Sequence, residues 1–261
     1  MSSIDLNADL GEGVRTTDLD PHALDEALLD VVTSANVACG GHAGDDPTMS
    51  LVCIDARARG VSVGAQVSYV DRAGFGRVRL TVATEVLTGQ LLDQIGALRA
   101  HARTAGTDVH YLKPHGALYH AAVEDPALAE AVVDAVVRDG ERTGAALPVL
   151  TLPGGALAAR AAARGLRVVA EAFADRAYTT AGRLVPRDVP GAVVRDPDVV
   201  VDRVLGIVAR GRVRTHDGAD LALAAESVCL HSDTDGALGL ARAVAAALVA
   251  EGISLAPAVR P

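Results

Sequence analysis

The chain has 261 residues, 50% of them hydrophobic and 22% charged, a balance that excludes a disordered or fibrous chain. Its net charge of −9 and 2% aromatic content argue against nucleic acid as a partner, since phosphates want a basic face and bases want stacking rings. Cys39, Cys53 and Cys229 are too scattered for a disulfide framework or a CxxC metal knuckle, MSSIDLNADL does not read as a signal peptide, and no apolar run reaches the ~18 residues of a membrane helix, so a soluble, reduced, cytoplasmic protein is expected.

In chain order the sequence predicts a strand over residues 4–10, a helix over 21–32, a strand over 34–39, a helix over 46–59, a strand over 61–68 and a helix over 81–104. A strand over 109–114, a helix over 126–142, a strand over 148–152, a helix over 156–164, a strand over 167–173, a helix over 197–208, a strand over 227–231 and a helix over 236–250 follow. Asp46-Pro47, Asp125-Pro126 and Asp196-Pro197 read as helix starts, with Asp as cap and Pro as first helical residue. Gly60, Gly106, Gly140 and Gly165 read as helix ends. Alternating β and α units imply a mostly parallel sheet in one domain spanning residues 1–261. No GxGxxG turn follows the first strand, which favours a (β/α) barrel over an open doubly wound sheet.

In such folds the chemistry sits at the carboxyl ends of the strands. Polar side chains gather there in strand after strand. They are Asn7, Asp9 and Glu12; Asn36, Cys39 and His42; Gln66, Ser68, Tyr69 and Arg72; Lys113, His115 and Tyr119; Glu171, Asp175 and Arg176; and His231 and Asp233. Side chains two apart share a face of a strand, so Asn7 with Asp9, Gln66 with Ser68, Lys113 with His115, and His231 with Asp233 can each point into one central site. Ion pairs closing a barrel mouth would explain any one of these pairs, but not the set. Lys113 is the only lysine among 24 basic Lys and Arg residues, and a compact titratable amine is what arginine cannot supply.

There is no GxxxxGK[ST] phosphate loop, no GxSxG elbow, no HExxH and no HxxxH. What remains is a cluster of carboxylates, imidazoles and one amine. In it Asp9 or Asp233 would act as general base on water with a pKa raised by burial. Lys113 would neutralise a developing oxyanion, His115 would shuttle a proton near neutral pH, and Arg72 or Arg176 would clamp an acidic group. Asp9, His42 and His115 could together hold a catalytic divalent ion. His22, His101, His110, His120 and His216 read as surface or packing residues, and Cys39, beside His42, as a buried thiol. These residues reach as far as a β/α enzyme acting on a small polar, acidic molecule.

The strings DLNADLGEG (residues 5–13), SANVACGGHAGD (34–45), DRAGFGR (71–77), KPHGALY (113–119), EAFADRAY (171–178), LVPR (184–187) and HSDTDGAL (231–238) resemble the LamB/YcsF family along the whole chain. The resemblance implies a seven-stranded β/α barrel of the glycoside hydrolase/deacetylase type. It also implies hydrolysis of 5-oxoproline to L-glutamate with consumption of ATP, together with 5-oxoprolinase subunits B and C. On that reading Asp9, Lys113, His115, His42 and Asp233 are the catalytic candidates. Asn7, Glu12, Asn36, Ser68, Tyr69, Arg72, Glu171, Arg176 and His231 are the substrate-binding ones, and a homodimer is compatible with the barrel. The chain departs from the family pattern AHPSYPD at Gln66, Val67 and Val70, from an aromatic in the second motif at Gly41, and from HGDT-P-G in the last motif at Ser232 and Asp235. These departures keep two rivals open: a diverged metal-dependent deacetylase or carbohydrate-active hydrolase, and a non-catalytic binding subunit.

Overall fold

The barrel strands are short and apolar on the side facing the helices, while the side facing the barrel axis is polar or small except where rings such as Tyr111 and Phe173 turn inward. β1 (Ser3–Leu10) sets the pattern. Leu6, Ala8 and Leu10 pack outward, while Asp5, Asn7 and Asp9 alternate with them. Complete burial of a leucine contributes about 1.5–3 kcal/mol, so the outward row anchors the strand. The computed structural model describes residues 3–16 and 18–260. After β1 come α1 (Pro21–Leu29), β2 (Ser34–Ala38), α2 (Asp46–Arg59), β3 (Ser62–Val67), α3 (Thr84–Thr104), β4 (Tyr111–Pro114), α4 (Gly116–Glu124) and α5 (Pro126–Thr143). The second half runs β5 (Val149–Thr151), α6 (Ala156–Ala163), β6 (Val168–Phe173), α7 (Pro197–Arg210), β7 (Arg212–Arg214), β8 (Asp220–Ala222), β9 (Ser227–Leu230), α8 (Ala237–Ala250) and β10 (Ser254–Leu255).

Strands β1 to β6 pair in sequence order, all parallel, and β9 pairs with both β6 and β1, closing a seven-stranded barrel. The register stacks Asn7 beside Ser34, Asp9 beside Asn36, Gln66 beside Lys113, and Phe173 beside Cys229. The polar ends of neighbouring strands therefore finish at one mouth. β10 pairs with the first residues of β1, and β7 with β8 forms a separate antiparallel hairpin. Leu24, Leu28, Val52, Leu91, Ile95, Val132, Val136, Val204 and Leu240 form the buried layer between helices and barrel.

The barrel axis is filled, not hollow. Tyr111 lies across Gly64 of the neighbouring strand; a Cβ on Gly64 would stand 2.1 Å from the ring. The tyrosine hydroxyl donates to Asn36 Oδ1 at 2.8 Å, and Asn36 in turn donates to Asn7 and Asp9. Tyr111, Asn36, Asn7 and Asp9 are thus linked to one another beneath the mouth.

Three local expectations are corrected. The residue capping α2 is Asp45, whose side chain accepts from Thr48 N–H, so Asp46 is already helical. Gly140 lies inside α5; the helix ends at Gly144, with φ 88°, because Ala146 packs directly against Gly140. α4 occupies residues between the expected strand over 109–114 and the expected helix over 126–142, and β7, β8 and β10 lie outside the expected elements.

Candidate active site

At the carboxyl ends of the strands lies a cavity of about 270 Å³, open to solvent. Lys113, at the end of β4, forms its floor and is only 2% exposed. Its Nζ lies 2.7 Å from Glu171 Oε1, 3.3 Å from Asp9 Oδ1, 3.2 Å from Asn7 Oδ1 and 3.0 Å from Cys229 Sγ, and 5.2 Å from the centre of the Phe173 ring. Burial pushes the ammonium pKa down, but Asp9, Cys229 and Glu171 more than offset it and hold it well above its ordinary value. Burial likewise pushes the Asp9 carboxyl up, yet Lys113, His231 and His115 hold it well below the usual carboxylate range. The expected upward shift of Asp9 is thus reversed, because a permanent cation sits beside it. Burial leaves Glu171 raised despite Lys113; Tyr119 donates its hydroxyl to Glu171 Oε2 at 2.9 Å.

Beside this centre stands a histidine–aspartate pair. His231 Nδ1 lies 2.9 Å from Asp175 Oδ1, and Thr234 donates to the same carboxylate. Burial raises the Asp175 carboxyl, but His231 leads the contacts that lower it overall, so it is an ionised acceptor. The pair fixes the proton on Nδ1 and leaves Nε2 as the free nitrogen of a residue lining the cavity. The ring stacks on Phe173, with centroids 5.2 Å apart. His231, Asp9 and Cys229 bring ligand-type atoms within 4.8 Å of one another.

A second cluster lies behind the wall. His42 and His115 stack with centroids 3.6 Å apart and planes at 4°. Ser68 donates its hydroxyl proton to the Tyr69 carbonyl, so it accepts from His42 Nδ1 at 3.1 Å. His42 Nε2 faces Glu12 Oε1 at 3.0 Å, a contact that requires one proton between a ring nitrogen and a carboxylate. His115 Nε2 donates to the Phe75 carbonyl at 3.1 Å, which leaves Nδ1 to accept from Gln66 Nε2 at 3.1 Å. Burial and neighbouring His42 hold His115 well below the usual imidazole value, so it is neutral rather than poised near pH 7. Phe75, the one described non-glycine residue with positive φ (53°), presents that carbonyl.

His42 and His115 are not arranged to share a divalent ion, although Glu12 stands close to both. A metal binds imidazole in the plane of the ring, and two parallel rings 3.6 Å apart have no common in-plane point. Asp9, expected with His42 and His115, falls instead with Cys229 and His231, where Lys113 already supplies the cation.

The mouth is basic. Arg187 Nη2 lies 3.5 Å from Asp233 Oδ1, and Arg77 pairs with the same carboxylate. Arg176 is 2% exposed, gives Nη2 to the Val185 carbonyl at 2.6 Å, and makes no ion pair among the described residues. Burial and nearby Arg187 lower its pKa to about 10, which still leaves it charged at neutral pH.

Of the residues singled out from the sequence, Asp9, Gln66, Lys113, His115, Tyr119, Arg176 and His231 line the cavity. Asn7, Asn36 and Glu171 support Lys113 and Asp9 from below or beside it. Glu12, His42 and Ser68 form the cluster behind His115. Asp233 pairs with rim arginines rather than facing the floor. Tyr69 is wholly buried in the strand–helix core, and Arg72 is exposed and donates to the Gly44 carbonyl, so neither reaches the cavity. Arg77, His120 and Arg187 line it without having been chosen as site residues. His120 was read as surface or packing, but α4 carries it to the wall.

The LamB/YcsF family profile matches residues 4–261. A protein of Streptomyces avermitilis, named as the A subunit of 5-oxoprolinase, is 54% identical over 253 residues, covering 97% of this chain and 98% of that one. The crystal structure of a lactam utilization protein from Thermus thermophilus superposes with a TM-score of 0.87 at 38% identity, covering 97% of this chain and 99% of that one. A peptidoglycan N-acetylglucosamine deacetylase (Bc1960) shares the fold alone, with a TM-score of 0.51 at 12% identity and coverage of 98% and 85%. The motifs, the closed seven-stranded barrel and the full-length match together place the chain in the LamB/YcsF family.

Proposed function

We propose that this chain hydrolyses the lactam 5-oxoproline to L-glutamate as the A component of an ATP-dependent 5-oxoprolinase, acting in the cytoplasm with partner subunits B and C. The observation that carries the reading is the lone lysine. Its ammonium is buried between Asp9 and Glu171 at the floor of a cavity whose mouth is lined by Arg77, Arg176 and Arg187. A small molecule with a carboxylate at one end and an amide oxygen at the other matches that polarity. The names of the S. avermitilis and T. thermophilus relatives point the same way.

In this reading Arg176 and Arg187 hold the substrate carboxylate, and Lys113 faces the ring carbonyl, where negative charge develops as water adds. His231, oriented by Asp175, takes the proton of the attacking water on Nε2 and returns it to the ring nitrogen as the carbon–nitrogen bond breaks. Asp9, ionised, orients that water and keeps Lys113 charged. His231 thus takes the acid–base part first expected of His115, whose nitrogens are both engaged. The amide is resonance-stabilised, and ATP supplies the activation that this chemistry lacks. The chain has no phosphate loop, so we assign the nucleotide to the partner subunits.

The test is glutamate release from 5-oxoproline by this chain assembled with subunits B and C. Release that requires ATP and all three chains is expected. Absence of release from an intact assembly, with turnover of an acetylated sugar by the same preparation, would overturn the reading.

A further inference from the structure

Eight buried side-chain polar atoms have no hydrogen-bond partner among the described residues, and just one of them, Gln66 Oε1, belongs to a residue lining the cavity. Gln66 itself is wholly buried. The orientation of its amide follows from its neighbours. His115 Nε2 must carry the ring proton, because the Phe75 carbonyl it contacts can only accept. Glu12 Oε1, 3.3 Å from His115 Nδ1, is engaged more closely by His42 Nε2, so Nδ1 as an acceptor claims the NH2 of Gln66, which turns Oε1 away from His115 with nothing to satisfy it.

The other polar groups around the cavity are mostly donors: Lys113, Arg77, Arg176 and Arg187. Asp9 Oδ1 is already engaged by Lys113 and Asn36, and its other oxygen is the one left to orient the attacking water. A 5-oxoproline molecule offers these donors its carboxylate and its ring carbonyl, and has one amide donor of its own, the ring N–H.

We propose that Gln66 Oε1 accepts the ring N–H of the substrate, making Gln66 the residue that selects a cyclic amide over the isosteric cyclic ester. This rests on the lactam reading of the cavity given above. A ligand without the N–H leaves the buried oxygen unpaired and is penalised for it. His115, through its fixed proton, acts here as a positioning residue for Gln66.

The experiment compares 5-oxoproline with its lactone analogue, 5-oxotetrahydrofuran-2-carboxylate, which carries oxygen in place of N–H. kcat/KM for both is measured in the three-chain assembly with the native chain, Gln66→Met and Gln66→Glu. Comparing the lactam-to-lactone ratio across chains cancels the intrinsic reactivity of ester and amide, and any general effect of disturbing His115. The ratio is expected to fall at least tenfold in Gln66→Met and to be largely retained in Gln66→Glu, which keeps an acceptor oxygen. An unchanged ratio in Gln66→Met, or a ratio lost equally in both variants, overturns the role of Gln66 while leaving the lactam reading in place. Failure of the native assembly to turn over the lactam at all overturns both.

Discussion

A lysine at 2% exposure costs a great deal to bury, and Lys113 is retained in a chain that otherwise uses arginine. Its partners explain the retention: a compact ammonium fits among Asp9, Asn7, Glu171 and Cys229, where a planar guanidinium would not. The histidine–aspartate pair gives a sharper prediction. Asp175→Asn removes the ionised acceptor that fixes the His231 proton on Nδ1, so kcat should fall by roughly 10²–10⁴ with KM little changed, as read from steady-state glutamate release. A second prediction concerns stability. Burial raises the Asp25 carboxyl to about 7 although Gly11 N–H donates to it at 3.0 Å. Between about pH 4 and 7 the folded chain therefore holds a proton that the unfolded chain has lost, and stability falls as pH rises through that window. Asp25→Asn keeps an acceptor for Gly11 and abolishes the penalty. Its unfolding free energy, measured with denaturant, should gain on the native chain from pH 4 to pH 7 by an amount on the order of a few kcal/mol. At this scale the sequence was legible where spacing of two carried the information, as for Asn7 with Asp9 and Lys113 with His115. It was misleading at Tyr69, whose position past the strand end turns its ring into the core, and it gave Arg187, the last residue of LVPR, no site role, because that residue reaches the cavity from a long loop.

At the scale of elements, all seven barrel strands were readable because each is a short apolar run bounded by turn residues. α4 was not. Leu118, Tyr119, Ala121, Ala122 and Val123 are all buried, and only His120 and Glu124 mark a polar side, too little in nine residues to reveal a period of 3.6. β7 and β8 have three residues each, and β10 two, too short for alternation to stand out. Register was also outside the reach of pattern alone, yet it decides the site by setting Gln66 beside Lys113. Gly64 offers a direct check of that register. Gly64→Ala would drive a methyl group into the Tyr111 ring, which hydrogen-bonds Asn36 beneath the floor. The variant should lose about 1–3 kcal/mol of stability and show a lowered Tm, whereas Gly89→Ala, on an open face of α3, should be neutral or slightly stabilising.

For the whole molecule, closure of β9 onto β1 converts seven separate strand ends into one enclosed mouth, and the loops after β3 and β6 carry the arginines to its rim. The overall charge is −9, so this basic mouth is a local inversion of sign that draws small anions to one place. No helix among the described residues is long and apolar enough to cross a membrane. The central claim is that the buried ammonium stabilises charge on the lactam carbonyl during hydrolysis. The most direct measurement is kcat for ATP-dependent glutamate release by the assembled complex carrying Lys113→Ala, with assembly verified by gel filtration. Removing the ammonium leaves the Asp9 and Glu171 carboxylates without their countercharge and the floor without its cation, and kcat should fall by about 10²-fold or more. Glutamate release at the native rate from an intact Lys113→Ala complex would contradict the account.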